Sequence, residues 1–238
     1  MLYQTHARIH LNNIRANIAA IRQQVGAQRQ ILIAVKANAY GHGAVAVSRM
    51  AEQIGVNWLG VATVPEGIQL RQAGISLPIL KLSPAFPEEM SAAVQNDLTL
   101  TVCDPENIAA LEATCAAEQR TAQVHLKVDT GMGRIGVLPA EAPALAATIE
   151  RDCPHLHLQG LFTHLPVSDE ADPTYTRQQI QRFQTVIDQV NAAIGRRIEL
   201  THCSNSGAVL AHPPAWLDMV RPGIMIYGFY PDPGTPRT

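Results

Sequence analysis

No stretch of this 238-residue chain is apolar for long enough to span a bilayer, and its N-terminus lacks the apolar core of a signal peptide. There is no charge run either. Eighteen Lys and Arg stand against 20 Asp and Glu, for a formal net charge of −2. That balance gives no nucleic-acid or membrane-surface footprint. The four cysteines, Cys103, Cys115, Cys153 and Cys203, form no C-x-x-C pair and no metal spacing. Reduced thiols in a cytoplasmic protein are therefore expected. Cys203 follows His202, but neighbours on a strand point to opposite faces, which argues against a Cys–His nucleophilic pair. The chain also lacks an interdomain linker, an internal repeat and a low-complexity stretch. What it has is apolar bulk: 47% of residues are hydrophobic, enough for one ordinary globular core, a barrel among the options.

Thr5 to Leu11 alternates, with Ala7, Ile9 and Leu11 on one side, and predicts a short strand. Asn12 or Asn13 then caps a helix carried by Ile14, Ile18, Ile21 and Val25 and stopped by Gly26. From Ile31 onward strands and helices alternate. Strands are predicted near 31–36, 57–62, 78–82, 98–102, 122–128, 156–163, 198–203 and 218–221. Helices are predicted near 44–54, 65–73, 87–95, 105–118, 140–151 and 174–194. In the last of these, Ile180, Phe183, Ile187, Val190 and Ile194 form one stripe, ended by Gly195. Eight strands with intervening helices predict an α/β fold of the (β/α)8 TIM-barrel type, in a single domain. A doubly wound sheet is the second option, but no G-x-G-x-x-G follows the first strand. The expected organisation is an N-terminal strand and helix over 1–30, the barrel over 31–230, and a Pro/Gly-rich tail or linker over 231–238.

The chain is organised around Ile31 to Gly43. An apolar strand runs into Lys36, and the run then breaks into small and polar residues with Gly41 and Gly43. An amine between Val35 and Ala37 is poorly solvated, which favours the neutral form that Schiff-base chemistry needs. The plain alternative is a lysine that snorkels out at a strand end. A barrel gathers functional residues at the C-terminal ends of its strands. Lys36 ends the first strand, Lys127 and Asp129 the fifth, and His164 the sixth. Ser204-Asn205-Ser206-Gly207 follows the seventh and Arg221-Pro222-Gly223-Ile224 the eighth. The last two loops suit a phosphate, with Asn205 and Ser206 as donors and Gly223 allowing close backbone approach. A plain Asn/Ser helix cap is the competing reading. His155-x-His157 lies at the start of the sixth strand, the stability end of a barrel, and is not read as a metal pair. No metal site is expected. Along the fifth strand, His125, Lys127 and Asp129 share the face opposite Val124, Leu126 and Val128.

Ala34-Val35-Lys36-Ala37-Asn38-Ala39-Tyr40-Gly41-His42-Gly43 resembles the pyridoxal 5′-phosphate (PLP) lysine motif of alanine racemases. The resemblance implies a TIM-barrel domain that binds PLP and interconverts L-alanine and D-alanine, the latter for peptidoglycan. Lys36 would hold the cofactor as an aldimine and act as catalytic base on the D face. Tyr40, Asn205, Ser206, Gly223 and Ile224 would contact the phosphate, and His164 would pack on the ring. Arg221 would face the ring nitrogen. An arginine has no acceptor and does not give up its proton readily, so that nitrogen would stay unprotonated and the electron sink weak. Without the resemblance, His164 reads as a satisfied core histidine and Arg221 as a surface ion-pair partner. In several members the lysine matching Lys127 is carbamylated and pairs with the arginine matching Arg134. The competing arrangement is a Lys127–Asp129 or Asp129–Arg134 ion pair.

The resemblance runs through Ile226-Tyr227-Gly228 and departs after it. Alanine racemases continue into a C-terminal β domain that supplies a tyrosine, the second base, to the partner subunit of a homodimer. None of Tyr3, Tyr40, Tyr175, Tyr227 and Tyr230 matches that tyrosine. A domain fragment, expected to racemise weakly, and a natural single-barrel protein both fit. The reading from a different class is a PLP-binding or homeostasis module without turnover.

Overall fold

The computed structural model describes residues 5–232 and Gly234; Tyr3 and most of the 231–238 tail lie outside the described residues. Eight parallel strands are β1 (Gln30–Ala34), β2 (Trp58–Val61), β3 (Ile79–Pro84), β4 (Thr99–Val102), β5 (Ala122–Lys127), β6 (Leu156–Phe162), β7 (Leu200–His202) and β8 (Met219–Val220). They pair in the order β7-β6-β5-β4-β3-β2-β1-β8. The β7/β8 seam is joined by single bonds rather than a ladder. Asp218 N–H donates to Thr201 O at 3.1 Å and Arg221 N–H to Ser204 O at 2.8 Å. The sheet is thus a nearly closed barrel with helices between its strands, as the alternation predicts.

The helices before and between the strands are α1 (Leu11–Val25), α3 (Ala44–Gln53), α4 (Val64–Gln72), α5 (Pro87–Gln95), α6 (Pro105–Glu118), α7 (Ala142–Asp152) and α8 (Thr174–Ile194). A short turn, α2 (Lys36–Tyr40), follows β1, and α9 (Ser206–Ala211) follows β7. Their starts are written in local chemistry. Thr63 and Glu66 form a capping box on α4, and Asp104 accepts from Asn107 N–H at the start of α6. Gly195, with φ of 70°, ends α8 in the left-handed region.

The predicted N-terminal strand does not form. Residues 5–10 are exposed and irregular, and α1 begins at Leu11 with His10, not Asn12 or Asn13, at the cap position. The physical reason is pairing: β1 is already flanked by β2 and β8, so it offers the alternating segment no free edge.

Strand alternation sorts two cores. Residues such as Ile31, Ile33, Leu59, Val61, Val124 and Leu126 face the helices in one large cluster. Leu32, Trp58, Leu80, Leu200 and Met219 fill the barrel interior. Above Trp58, toward the C-terminal ends, the interior turns polar: His125, Lys127, His202 and Arg221 are all buried there. No described helix is long and apolar enough to cross a membrane.

Candidate active site

β1 delivers Lys36 to the barrel mouth, where the chain enters an unusual backbone conformation. Ala37, Asn38, Ala39 and Tyr40 all have φ between 49° and 55°. Four consecutive non-glycine residues in the left-handed region cost about 1–2 kcal/mol each. The turn is held from several sides. Gly41 N–H donates to Ala37 O and Gly43 N–H to Asn38 O, while Asn38 Oδ1 accepts from Ala44 N–H at 2.8 Å. Glu66 accepts Ala37 N–H at 2.7 Å. The result is a half-buried Lys36 whose Nζ sits 6.0 Å from the Tyr40 ring centroid. Tyr227 packs on Tyr40 and its hydroxyl donates to Ala34 O at 2.8 Å, fixing the end of β1.

Lys36 and Tyr40 line a cavity of about 230 Å3. Lys127, Arg134, His164, Asn205, Ser206, Arg221, Gly223 and Ile224 line the same cavity. These ten residues therefore share one space, whereas Asp129 and Ser204, also at strand ends, do not line it. Phe162, Asp169, Leu32 and Leu82 also line it, with Ala34, Gly207 and Pro231. Sequence reasoning passed over the first four. The signal for Leu32, Leu82 and Phe162 was their inward register on strands ending at the mouth; for Asp169 there was none. The cavity's volume lies just under the usual range for small-molecule pockets, roughly 300–1,000 Å3, and suits a compact ring.

Arg221 is buried against the interior. Its Nη1 donates to His202 Nδ1 at 2.8 Å and its Nη2 to the carbonyls of Thr163 at 2.8 Å and Cys203 at 3.3 Å. Burial lowers its pKa to about 10, against a small opposing pull from Cys203, so it remains a cation at neutral pH. The surface ion-pair reading of this arginine is excluded by that burial. His164 is pushed down to about 3, by burial first and then by the charges of Arg221 and Lys127. It presents a neutral imidazole.

Lys127 is only 4% exposed, with Nζ 5.3 Å from the Phe162 ring centroid. Burial, then Arg221 and Arg134, lower its pKa to about 8. Asp129 does not form the ion pair weighed for it. Its oxygens accept the amides of Gly131, Met132 and Gly133 at 2.7–2.9 Å, closing the loop that carries Arg134 to the mouth.

The loops after β7 and β8 interlock. Asn205 is the cap of α9: its Oδ1 accepts from Ala208 N–H and Ser168 Oγ, and its Nδ2 donates to Leu165 O. Both ends of its amide are thus committed inside the protein. Ser206 Oγ accepts from Gly223 N–H at 3.0 Å and Met225 N–H at 3.4 Å. A Cβ on Gly223 would lie 3.1 Å from the Tyr40 hydroxyl. The absent side chain leaves a cradle between the two loops and Tyr40. Four basic side chains and one carboxylate, Asp169, line the cavity, so the field favours an anion.

At the other end of the barrel, His155 Nδ1 lies 2.6 Å from Glu112 and His157 Nε2 2.6 Å from Glu199. Each histidine has its own carboxylate, away from the cavity. Cys203 points to Ala215 O, on the opposite side of the strand from His202.

A family model for the N-terminal domain of alanine racemases matches residues 9–231. The chain belongs to this family. Alanine racemase from Cutibacterium acnes is 44% identical over 235 residues, which cover 98% of this chain and 62% of that protein. Alanine racemase from Desulforamulus reducens is 43% identical, over 94% of this chain and 60% of that protein. Among solved structures, alanine racemase of Clostridium difficile 630 in complex with cycloserine superposes with a TM-score of 0.95 at 36% identity. It is matched over 99% of this chain and 64% of its own. The Bacillus anthracis enzyme with bound L-Ala-P gives 0.89 at 32% identity, over 97% and 60%. The chain thus spans about three fifths of the length of the alanine racemases it matches.

Proposed function

We propose that this alanine racemase domain binds PLP at Lys36 and interconverts L-alanine and D-alanine, supplying D-alanine for peptidoglycan. The observation that carries the reading is that Lys36 and Arg221 open into one cavity whose far loops leave an anion cradle at Gly223. The residues fit the cofactor: an amine, a surplus of positive charge, a neutral imidazole and a cationic donor without an acceptor. When bound, PLP supplies an electron sink that acidifies the α-proton of an attached amino acid.

Tyr40, Ser206 and the backbone at Ile224 would hold the phosphate, with Gly223 leaving the room for its approach. Lys36 Nζ removes and returns the α-proton on one face. His164 packs as an uncharged ring. Arg221 donates without accepting, so it would leave a ring nitrogen placed against it unprotonated and temper the sink. That favours proton removal and return over elimination or transamination. Lys127 Nζ, part-neutral near pH 8, adds to carbon dioxide with loss of a proton. The resulting carbamate is an anion that pairs with Arg134.

The test is incubation of the 238-residue chain with PLP and D-alanine in D2O, read by NMR and chiral chromatography. Deuterium should enter at Cα, and exchange with retention should outpace L-alanine formation. Lys36 reaches one face, and no tyrosine in the sequence matches the second base. One acid–base group is worth about 10²–10⁴-fold, and inversion should lag by that order. Bound PLP with no α-deuteration would contradict the proposal and leave a binding module without turnover.

A further inference from the structure

Behind Arg221, two fully buried histidines run down the barrel interior. His202 Nε2 and His125 Nδ1 are 2.9 Å apart, and His202 Nδ1 is 2.8 Å from Arg221 Nη1. At the far end of this line two buried atoms stand without a partner, His125 Nε2 and Gln159 Oε1. One can donate and the other can only accept. The backbone is built for this meeting. The β5/β6 register pairs Val124 with Leu158 but His125 with Gly160, which leaves Gln159 as the extra residue of a bulge. Bulges re-aim side chains. Gly160 is needed beneath the ring, because a Cβ there would lie 2.6 Å from three His125 ring atoms.

Proton counting settles the direction of the chain. A guanidinium only donates, and a neutral imidazole has one donor and one acceptor. His202 Nδ1 must therefore accept from Arg221, and the His202 proton sits on Nε2. That proton is donated to His125 Nδ1, so the His125 proton sits on its own Nε2. The Gln159 side chain interacts with the ring and raises the His125 pKa against burial, so its unpaired Oε1 is the acceptor available to that proton. Burial, with the Arg221 charge adding to it, pushes both histidines down, to about 3 for His125, so both are neutral near pH 7.

We propose that His125 and Gln159 are positioning residues: they lock His202 in its Nε2-protonated tautomer, so that a bare Nδ1 holds the Arg221 guanidinium at the cavity. The reverse tautomer would set N–H against N–H and turn the arginine away. The consequence for chemistry rests on the PLP reading, since the donor that Arg221 shows to the ring nitrogen depends on this lock. The tautomers themselves do not depend on it.

The test is long-range 1H–15N NMR of the 15N-labelled chain, without and with PLP. His125 and His202 should both show a bare Nδ1 and a protonated Nε2. Gln159→Leu, which removes the acceptor, should shift the nitrogens of both histidines toward a mixed-tautomer pattern. Gln159→Glu, which keeps one, should restore the Nε2–H pattern. With PLP and D-alanine, the leucine variant should raise transamination relative to α-proton exchange. A protonated Nδ1 on either wild-type histidine would overturn the proposal without reference to any variant. So would His202 nitrogens unmoved by Gln159→Leu. If the NMR pattern holds but the chain takes up no PLP, the lock stands and the cofactor reading falls.

Discussion

Ala37 and Glu66, 29 residues apart, share a bond beside Lys36: the Ala37 N–H donates to Glu66 Oε1 at 2.7 Å. The other oxygen accepts the amides of Ala62 at 2.8 Å and Thr63 at 3.1 Å. One carboxylate therefore ties the strained left-handed turn after β1 to the loop after β2. Glu66→Gln replaces one accepting oxygen by an NH2 group facing an N–H. The bond is exposed, so water can replace the lost acceptor, and the expected cost is about 0.5–1.5 kcal/mol of stability, the net worth of one hydrogen bond. PLP uptake at Lys36 should weaken as well. Denaturant melts and a PLP titration check this; an unchanged titration would mean the turn holds its shape without the carboxylate.

Gly223 is a test of the cradle. Alanine there would place Cβ 3.1 Å from the Tyr40 hydroxyl, so the tyrosine must shift by a few tenths of an ångström. Affinity for PLP should fall about tenfold, or ~1.4 kcal/mol, with stability changed by less than about 1 kcal/mol. Equilibrium titration of Gly223→Ala decides it. Wild-type affinity would show that the phosphate does not sit between Gly223 and Tyr40.

Lys127 carries a pH signature. Its folded pKa is about 8, below the ordinary 10.5, because burial and then Arg221 and Arg134 disfavour its charge. The unfolded chain binds more protons between those two values, so stability rises with pH across that window. Below pH 8 the buried cation is a full liability, roughly 3 kcal/mol for a shift of this size. In bicarbonate-free buffer, Lys127→Met should be more stable than wild type at pH 7, and the gap should shrink toward pH 10.5. Bicarbonate at pH 8 should stabilise wild type, with a mass gain of one CO2, and leave the methionine variant alone. A pH-independent gap would contradict the burial argument, and an unchanged mass would contradict the carbamate.

Most of the fold could be read from the chain because local signals agreed with it. α5, α6 and α8 have the bounds expected from the sequence, and the apolar stripe and terminal Gly195 of α8 mark the last of them. Thr5–Leu11 misled because alternation reports a half-buried strand only where a partner edge exists, and the barrel had closed. The left-handed turn at 37–40 was invisible, since four residues with side chains adopt it against their own preference under tertiary restraint. At the site, residues at strand ends were legible one by one. The His125–His202 contact was not, because it joins positions 77 apart through a register shift that leaves no mark in composition. Asn205 shows the reverse case: both of its readings were legible, and its side chain serves as the helix cap.

Label mapping identifies the amine to which PLP attaches. The chain is loaded with PLP, reduced with borohydride to fix the cofactor where it is attached, digested and mapped by mass spectrometry. The label is expected on Lys36. Lys81 is the control, for it is buried and already donates to Ser83 O at 3.1 Å and Pro84 O at 2.7 Å. A label on Lys81 or Lys127, with Lys36 unmodified, would contradict attachment of PLP at Lys36.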